Sequence, residues 1–227
     1  WVAKHSLDIE GILFDNEWDQ EIFDFDGNLL KYADKILSHR KTTQQNWTET
    51  IKVYEEVASE WSNQGYEIAL VGMPDTIVDA IDGDPDLQQL FGCVNKPPDF
   101  WDRASYMLYR ECEFKGIGQD TLYLLAKQLK EMYGDRAVAA LGCMGYGPYL
   151  TMEGILEDIA LLKFLEYETV ELFELGAFYR NFGQEGLLKL LESSLQGWKH
   201  PVFKVTFRTD QFLIKTGTMA GDILLDL

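Results

Sequence analysis

The chain reads Tyr66-Glu67-Ile68-Ala69-Leu70-Val71-Gly72 between Gly65 and Pro74. This run is short and apolar, and a residue that ends regular structure stands on either side of it. That is the form of a strand covered on both faces, as strands inside a parallel sheet are. The run Ala137-Val138-Ala139-Ala140-Leu141-Gly142 has the same form. The two runs predict an α/β fold with a parallel sheet.

Helices are expected between these strands, joined to them by right-handed crossovers. The sequence predicts helices at 29–39, 48–63, 75–81 and 121–133. A further helix is expected after Asp99, because Trp101, Tyr106 and Tyr109 recur at helical spacing. We interpret these aromatic residues as core. The flanking helices would cover both faces of the sheet.

The two ends of the chain have a different character. Residues 1–21 carry scattered apolar positions and are interpreted as a short strand or an irregular lead-in. Residues 151–178 and 184–196 are apolar at helical spacing, and the alternation over 201–214 predicts a terminal β-hairpin. We therefore expect an α/β core at 1–150 and a helical extension at 151–227, packed on the same domain.

The composition limits the function classes. The chain has 227 residues and a formal net charge of −18, from 38 acidic and 20 basic residues. Such a charge disfavours nucleic acid and anionic membranes as partners. No apolar run approaches the ~20 residues that cross a bilayer. The odd cysteine count, with Cys93, Cys112 and Cys143, suits a reducing compartment and predicts a cytoplasmic protein.

The stretch Ile22-Phe23-Asp24-Phe25-Asp26-Gly27-Asn28-Leu29-Leu30 holds the strongest catalytic candidates. If the apolar run is a strand, Asp24 and Asp26 lie on the same side of the backbone and project past its end. There, two carboxylates can share one Mg²⁺ or divide nucleophilic and acid–base work. The alternative interpretation is a turn, because Asp and Asn cap backbone groups and Gly accepts positive φ.

The same stretch resembles the first motif of the haloacid dehalogenase (HAD) superfamily, DxDG(T/V), with Asn28 in place of Thr or Val. The resemblance covers about residues 20–150. It implies that Asp24 is the nucleophile that forms an aspartyl-phosphate and that Asp26 protonates the leaving group. Mg²⁺ would be held by the Asp24 carboxylate and the backbone carbonyl of Asp26. Lys96, or alternatively Lys115, would stabilise the phosphoryl group.

Two departures from the family pattern keep a second function open. Gly72-Met73-Pro74 stands where the family has Ser or Thr, and the segment after residue 141 has no carboxylate until Glu153. One hypothesis is therefore a Mg²⁺-dependent phosphohydrolase or phosphotransferase acting on a small phosphorylated molecule, active or degenerate. The other is an acidic binding or regulatory protein that recognises a basic protein partner.

Overall fold

A computed structural model describes residues 9–17, 29–93, 100–110, 119–142 and 151–195. The strands are β1 (Gly11–Asp15), β2 (Glu67–Gly72), β3 (Arg103–Met107), β4 (Ala137–Gly142) and β5 (Val170–Phe173). The helices are α1 (Leu29–Asn63), α2 (Asp75–Asp82), α3 (Asp86–Phe91), α4 (Gln119–Tyr133), α5 (Met152–Phe164) and α6 (Leu175–Leu195). Within these ranges, no helix combines the length and apolar character needed to cross a membrane.

The strands form one parallel sheet in the order β1-β2-β3-β4-β5, and helices flank it. The predicted α/β class with a parallel sheet is confirmed. The strand order follows the chain order, without the reversal that marks the switch point of doubly wound sheets.

By contacts, the chain divides into two compact units, Trp1–Ser105 and Tyr106–Leu227. In the first unit, Ile68 and Leu70 of β2 are buried, and the ring of Phe14 on β1 contacts the rings of Tyr54, Trp61 and Trp101. The packing of these rings joins α1 to the sheet. The predicted domains 1–150 and 151–227 stay a prediction.

In the second unit, β4 is covered on both faces, since Ala137 through Leu141 are all buried. Helix α4 contributes Leu122, Leu125 and Leu129 to this core. The hydroxyl groups of Tyr106 and Tyr133 lie 3.1 Å apart and satisfy each other in the interior. The predicted β2, β4 and α4 agree with the structure to within two residues at each end.

Two predicted helices at 29–39 and 48–63 are in fact one helix, α1. The residues between them, Arg40 to Trp47, are polar but include neither Gly nor Pro, so nothing in this stretch ends the helix. Polarity alone produces an exposed helical surface rather than a break.

The prediction of a helix after Asp99 is wrong. The chain forms β3 there, and four of its five residues are buried, as are Trp101, Tyr106 and Tyr109. A strand buried on both faces shows no alternation, so the aromatic spacing carried no information on secondary structure. The interpretation of these rings as core is confirmed.

The helix predicted over 151–178 is interrupted. Helix α5 ends at Phe164, Glu166 adopts a positive φ of 61°, and β5 follows at Val170–Phe173. The four residues of β5, Val-Glu-Leu-Phe, show no clear alternation of apolar and polar side chains, since Phe173 is apolar. The predicted terminal hairpin at 201–214 lies outside the described residues.

Candidate active site

The candidate site lies at the carboxyl ends of β1 and β2, the edge at which parallel α/β sheets bind ligands. These strands pair in parallel, with Gly11 opposite Glu67 and Asp15 opposite Val71. The backbone N–H of Asn16 donates to the carbonyl of Val71 at 3.0 Å, so the pairing continues one residue beyond β1.

Burial alternates along 11–17, and this alternation places two carboxylates on one face. Asp15 and Glu17 are exposed, whereas Asn16 between them is buried. The same two-residue period runs back through exposed Leu13 and half-buried Phe14. In an extended backbone, residues two apart lie on the same face, so Asp15 and Glu17 face solvent together at the strand end.

Two further carboxyl groups lie buried after β2. Asp75 is the first residue of α2 and is 5% exposed, and Asp79, four residues on, is 3% exposed. Residues four apart share a helix face, so both lie on the buried side of α2. The amino end of a helix favours a negative charge, which stabilises a carboxylate at Asp75.

The side chain of Asp79 accepts hydrogen bonds from the first turn of α3. Its two carboxylate oxygens accept hydrogen bonds from the backbone N–H groups of Leu87, at 3.2 Å, and Gln88, at 3.0 Å. The pKa of Asp79 is nevertheless raised to about 8, mainly by burial and also by the charge of Asp75, while the two N–H donors act against the shift. A carboxyl group with this pKa is largely protonated at neutral pH.

Cys93 lies beneath the ends of both strands and is fully buried. Its sulfur donates a hydrogen bond of 3.2 Å to the carbonyl oxygen of Asn16. Burial raises the pKa of this thiol strongly, and the charges of Asp75, Asp79 and Glu17 raise it further. The thiol therefore stays protonated and is a hydrogen-bond donor, not a nucleophile.

The local electrostatic field is negative. The carboxylates of Asp75 and Glu17 both act on Cys93, and Asp15 adds another carboxyl group on the exposed face. Such a site disfavours anionic ligands and accepts neutral or cationic ones.

A buried ion pair lies near the end of β3, in the second unit. Arg110 forms this pair with Asp158 of α5, and Gln119 at the start of α4 donates a hydrogen bond of 3.0 Å to the same carboxylate oxygen. The three residues tie the end of β3 to α4 and α5. We interpret this network as structural.

The site residues predicted from the sequence lie outside the described residues: Asp24, Asp26, Lys96 and the alternative Lys115. Glu153 is an exposed residue of the first turn of α5 and pairs with Lys189 at 3.2 Å. Among the residues that the structure describes, no group of three or more His, Cys, Asp or Glu side chains is arranged to hold a metal ion. Mg²⁺ at Asp24 and Asp26 stays a prediction.

The sequence reasoning missed Asp15, Asn16 and Glu17, although the signal was present. Acidic residues follow the short apolar run Ile12-Leu13-Phe14, the same pattern that drew attention to Asp24. No sequence pattern indicates that Asp79 and Cys93 are buried, because their burial depends on the packing of α3 against α2.

The comparisons with known proteins support the fold only. No family model and no curated protein matches the chain. Among solved structures, it is similar to the PgaB (BpsB) glycoside hydrolase domain from Bordetella bronchiseptica, with a TM-score of 0.50 and 13% sequence identity. The match covers 83% of this chain and 57% of that one, so this chain spans little more than half of that domain.

Proposed function

We propose that the protein hydrolyses glycosidic bonds in a neutral carbohydrate, at a site formed by the carboxyl end of β1. The observation that carries the proposal is the alternation over Asp15, Asn16 and Glu17, which presents two carboxyl groups on one exposed face at the strand end. Glycosidases commonly act through a pair of carboxyl groups, one of which protonates the leaving oxygen.

The positions of Glu17 and Asp15 suggest their catalytic roles. Glu17 has the longer side chain and lies beyond the end of β1, so it donates a proton to the glycosidic oxygen as the C–O bond breaks. The Asp15 carboxylate stabilises the positive charge that develops on the sugar ring, or activates the attacking water. Residues two apart in an extended segment are separated by about 6.6 Å along the backbone, which is closer to the carboxyl separation of inverting glycosidases, about 6.5–9.5 Å, than to the roughly 5–5.5 Å of retaining ones.

The electrostatics favour a neutral substrate over an anionic one. Asp75 and Glu17 both make the surroundings of Cys93 more negative. A phosphate dianion would be repelled here unless a cation neutralised it, whereas a neutral glycoside would not. The similarity to a structure described as a glycoside hydrolase domain adds a fold-level analogy to this argument and no more.

The experiment is a hydrolysis assay with aryl glycosides and neutral oligosaccharides. Glu17→Gln and Asp15→Asn should each lower kcat by about 10²–10⁴-fold, the usual contribution of a positioned acid or base. Glu60→Gln, which alters an exposed carboxyl group on α1, is the matched control and should retain full activity. Equal activity of wild type and Glu17→Gln, or no hydrolysis of any glycoside by the wild type, would refute the proposal.

Other expectations stay predictions. Phosphotransfer at Asp24, Asp26 and Lys96 with Mg²⁺ depends on residues that the structure does not describe, and a cytoplasmic location depends on the cysteine content alone. A second candidate function, recognition of a basic protein partner, is favoured by the net charge of −18. It predicts that a lysine-rich protein binds at low salt and is released at high salt.

A further inference from the structure

Cys93 makes contacts to the ends of both strands of the candidate site. Its sulfur donates to the carbonyl oxygen of Asn16, the first residue after β1. A hydrogen bond from the backbone N–H of Met73, the first residue after β2, acts against the rise in the pKa of the same thiol. One side chain therefore connects the two strand ends through both its donor and its acceptor capacity.

The sulfur is itself held in place. The backbone N–H of Cys93 donates to the carbonyl of Gln88 at 3.0 Å, and the N–H of Gln88 donates to Asp79. Asn16 is also fixed from its other side, because its N–H donates to Val71. The peptide group that links Asn16 to Glu17 thus has its carbonyl oxygen fixed by a buried thiol.

We propose that Cys93 is a positioning residue of the candidate active site, whose thiol joins the ends of β1 and β2 and so fixes the backbone from which Glu17 projects. The proposal rests on the proposed function for its catalytic consequence, but its structural content does not. Burial and the neighbouring carboxylates raise the pKa of the thiol, which keeps the proton that the bond to Asn16 requires. Displacements of about 1 Å at a catalytic group can cost 10²-fold in rate.

Three substitutions separate hydrogen bonding from packing. Cys93→Ser keeps a donor and an acceptor, Cys93→Val fills a similar volume without either, and Cys93→Ala leaves a cavity. The structural measurement is amide hydrogen exchange at Met73, whose N–H bonds to the sulfur. We expect exchange at Met73 to rise at least about 10-fold in Cys93→Val relative to wild type, with amides of α1 in the same unit unchanged. Cys93→Ser should exchange close to wild type.

The catalytic measurement is the division of the effect between kcat and KM on the best glycoside. Cys93→Val should lower kcat by about 10–10²-fold with KM within about twofold, because the acid is misplaced while binding is kept. Cys93→Ser should recover most of the loss. A substitution that acts only through global stability would change exchange in all elements of the first unit together.

The outcomes distinguish this proposal from the proposed function. Wild-type exchange at Met73 in Cys93→Val would overturn the positioning role whatever the activity. If Cys93→Val does not fold, Cys93→Ala is compared with Cys93→Ser in the same way, and equal exchange in the two would also overturn it. A wild-type protein that cleaves no glycoside would refute the function, while the exchange data would still decide whether the thiol joins the strand ends.

Discussion

The Oδ2 atom of Asp79 accepts a hydrogen bond of 3.0 Å from the backbone N–H of Gln88, which anchors the first turn of α3 to α2. Burial raises the pKa of this carboxyl group to about 8 in the folded protein, from an ordinary value of 3.8. Between these pH values the folded state holds a proton that the unfolded state has released. The free energy of unfolding therefore falls as the pH rises through this window.

Asp79→Asn should remove this pH dependence. The stability of wild type relative to Asp79→Asn is expected to decrease from pH 5 to pH 8, by at most about 1.4 kcal/mol per pH unit. Urea unfolding of both proteins at several pH values measures the difference. Glu60→Gln controls for the loss of one carboxyl group at an exposed position. Parallel curves for wild type and Asp79→Asn would contradict the assignment.

Asp158→Ala should destabilise the second unit strongly. The side chains of Arg110 and Asp158 are only 20% and 11% exposed, so removing the carboxylate leaves a mostly buried cation. Losses of about 3–5 kcal/mol are typical when one partner of a buried pair is removed. Thermal or urea unfolding measures the change.

The matched control is Glu153→Ala, which breaks the exposed pair with Lys189. Water screens an exposed pair, so its contribution to stability is small and this variant should unfold close to wild type. Equal losses in the two variants would mean that the Arg110–Asp158 pair is not a buried one in solution.

The sequence predicts strands β2 and β4 well, but it does not predict β3 and β5. β2 and β4 are short apolar runs enclosed by Gly or Pro, and no other strand in the described part of the chain shows that pattern. β3 is not predicted because its aromatic neighbours suggest a helical period. β5 is not predicted because its four residues lie between apolar helices and show no clear alternation. Local patterns identify a strand when its boundaries are marked, and they fail when burial on both faces removes the alternation.

Some residues of the candidate site could likewise be predicted from the sequence, and others could not. Asp15 and Glu17 were accessible to sequence reasoning, because acids directly after an apolar run are a recognisable pattern at a strand end. Asp79 and Cys93 were not, since their burial results from contacts between α2, α3 and the strand ends that no local pattern encodes. Tertiary packing, rather than residue type, gives Asp79 its raised pKa.

Gly142→Ala should destabilise the protein through one contact. A Cβ atom at this position would lie 2.8 Å from Cγ and 2.9 Å from Cβ of Tyr109, so the backbone or the ring must shift. Overpacking of this kind costs about 1–3 kcal/mol. The double variant Gly142→Ala, Tyr109→Ala should show a smaller loss than the sum of the two single losses, because the contact with Cγ is removed and only the contact with the Cβ atom of residue 109 is left.

Gly176→Ala is the control for glycine substitution. The nearest atom to its Cβ position is a guanidinium nitrogen of Arg180, at 3.4 Å, at the end of a flexible side chain. In a helix, Ala is favoured over Gly by up to about 1 kcal/mol, so this variant should be neutral or stabilised. A large loss at Gly176, or none at Gly142, would contradict the packing described here.

Thermal unfolding with and without millimolar Mg²⁺ separates the carbohydrate proposal from phosphotransfer at Asp24. Hydrolysis by Asp15 and Glu17 makes no use of the Asp24 carboxylate, so we expect Mg²⁺ to change the stability of wild type and Asp24→Asn by the same amount. A specific metal site saturated at one hundred times its dissociation constant would instead add roughly 2.7 kcal/mol to the wild type alone. Such a rise, absent from Asp24→Asn and still present in Glu17→Gln, would place the reactive centre at the HAD-like motif. It would make a phosphatase screen the next experiment in place of glycosides.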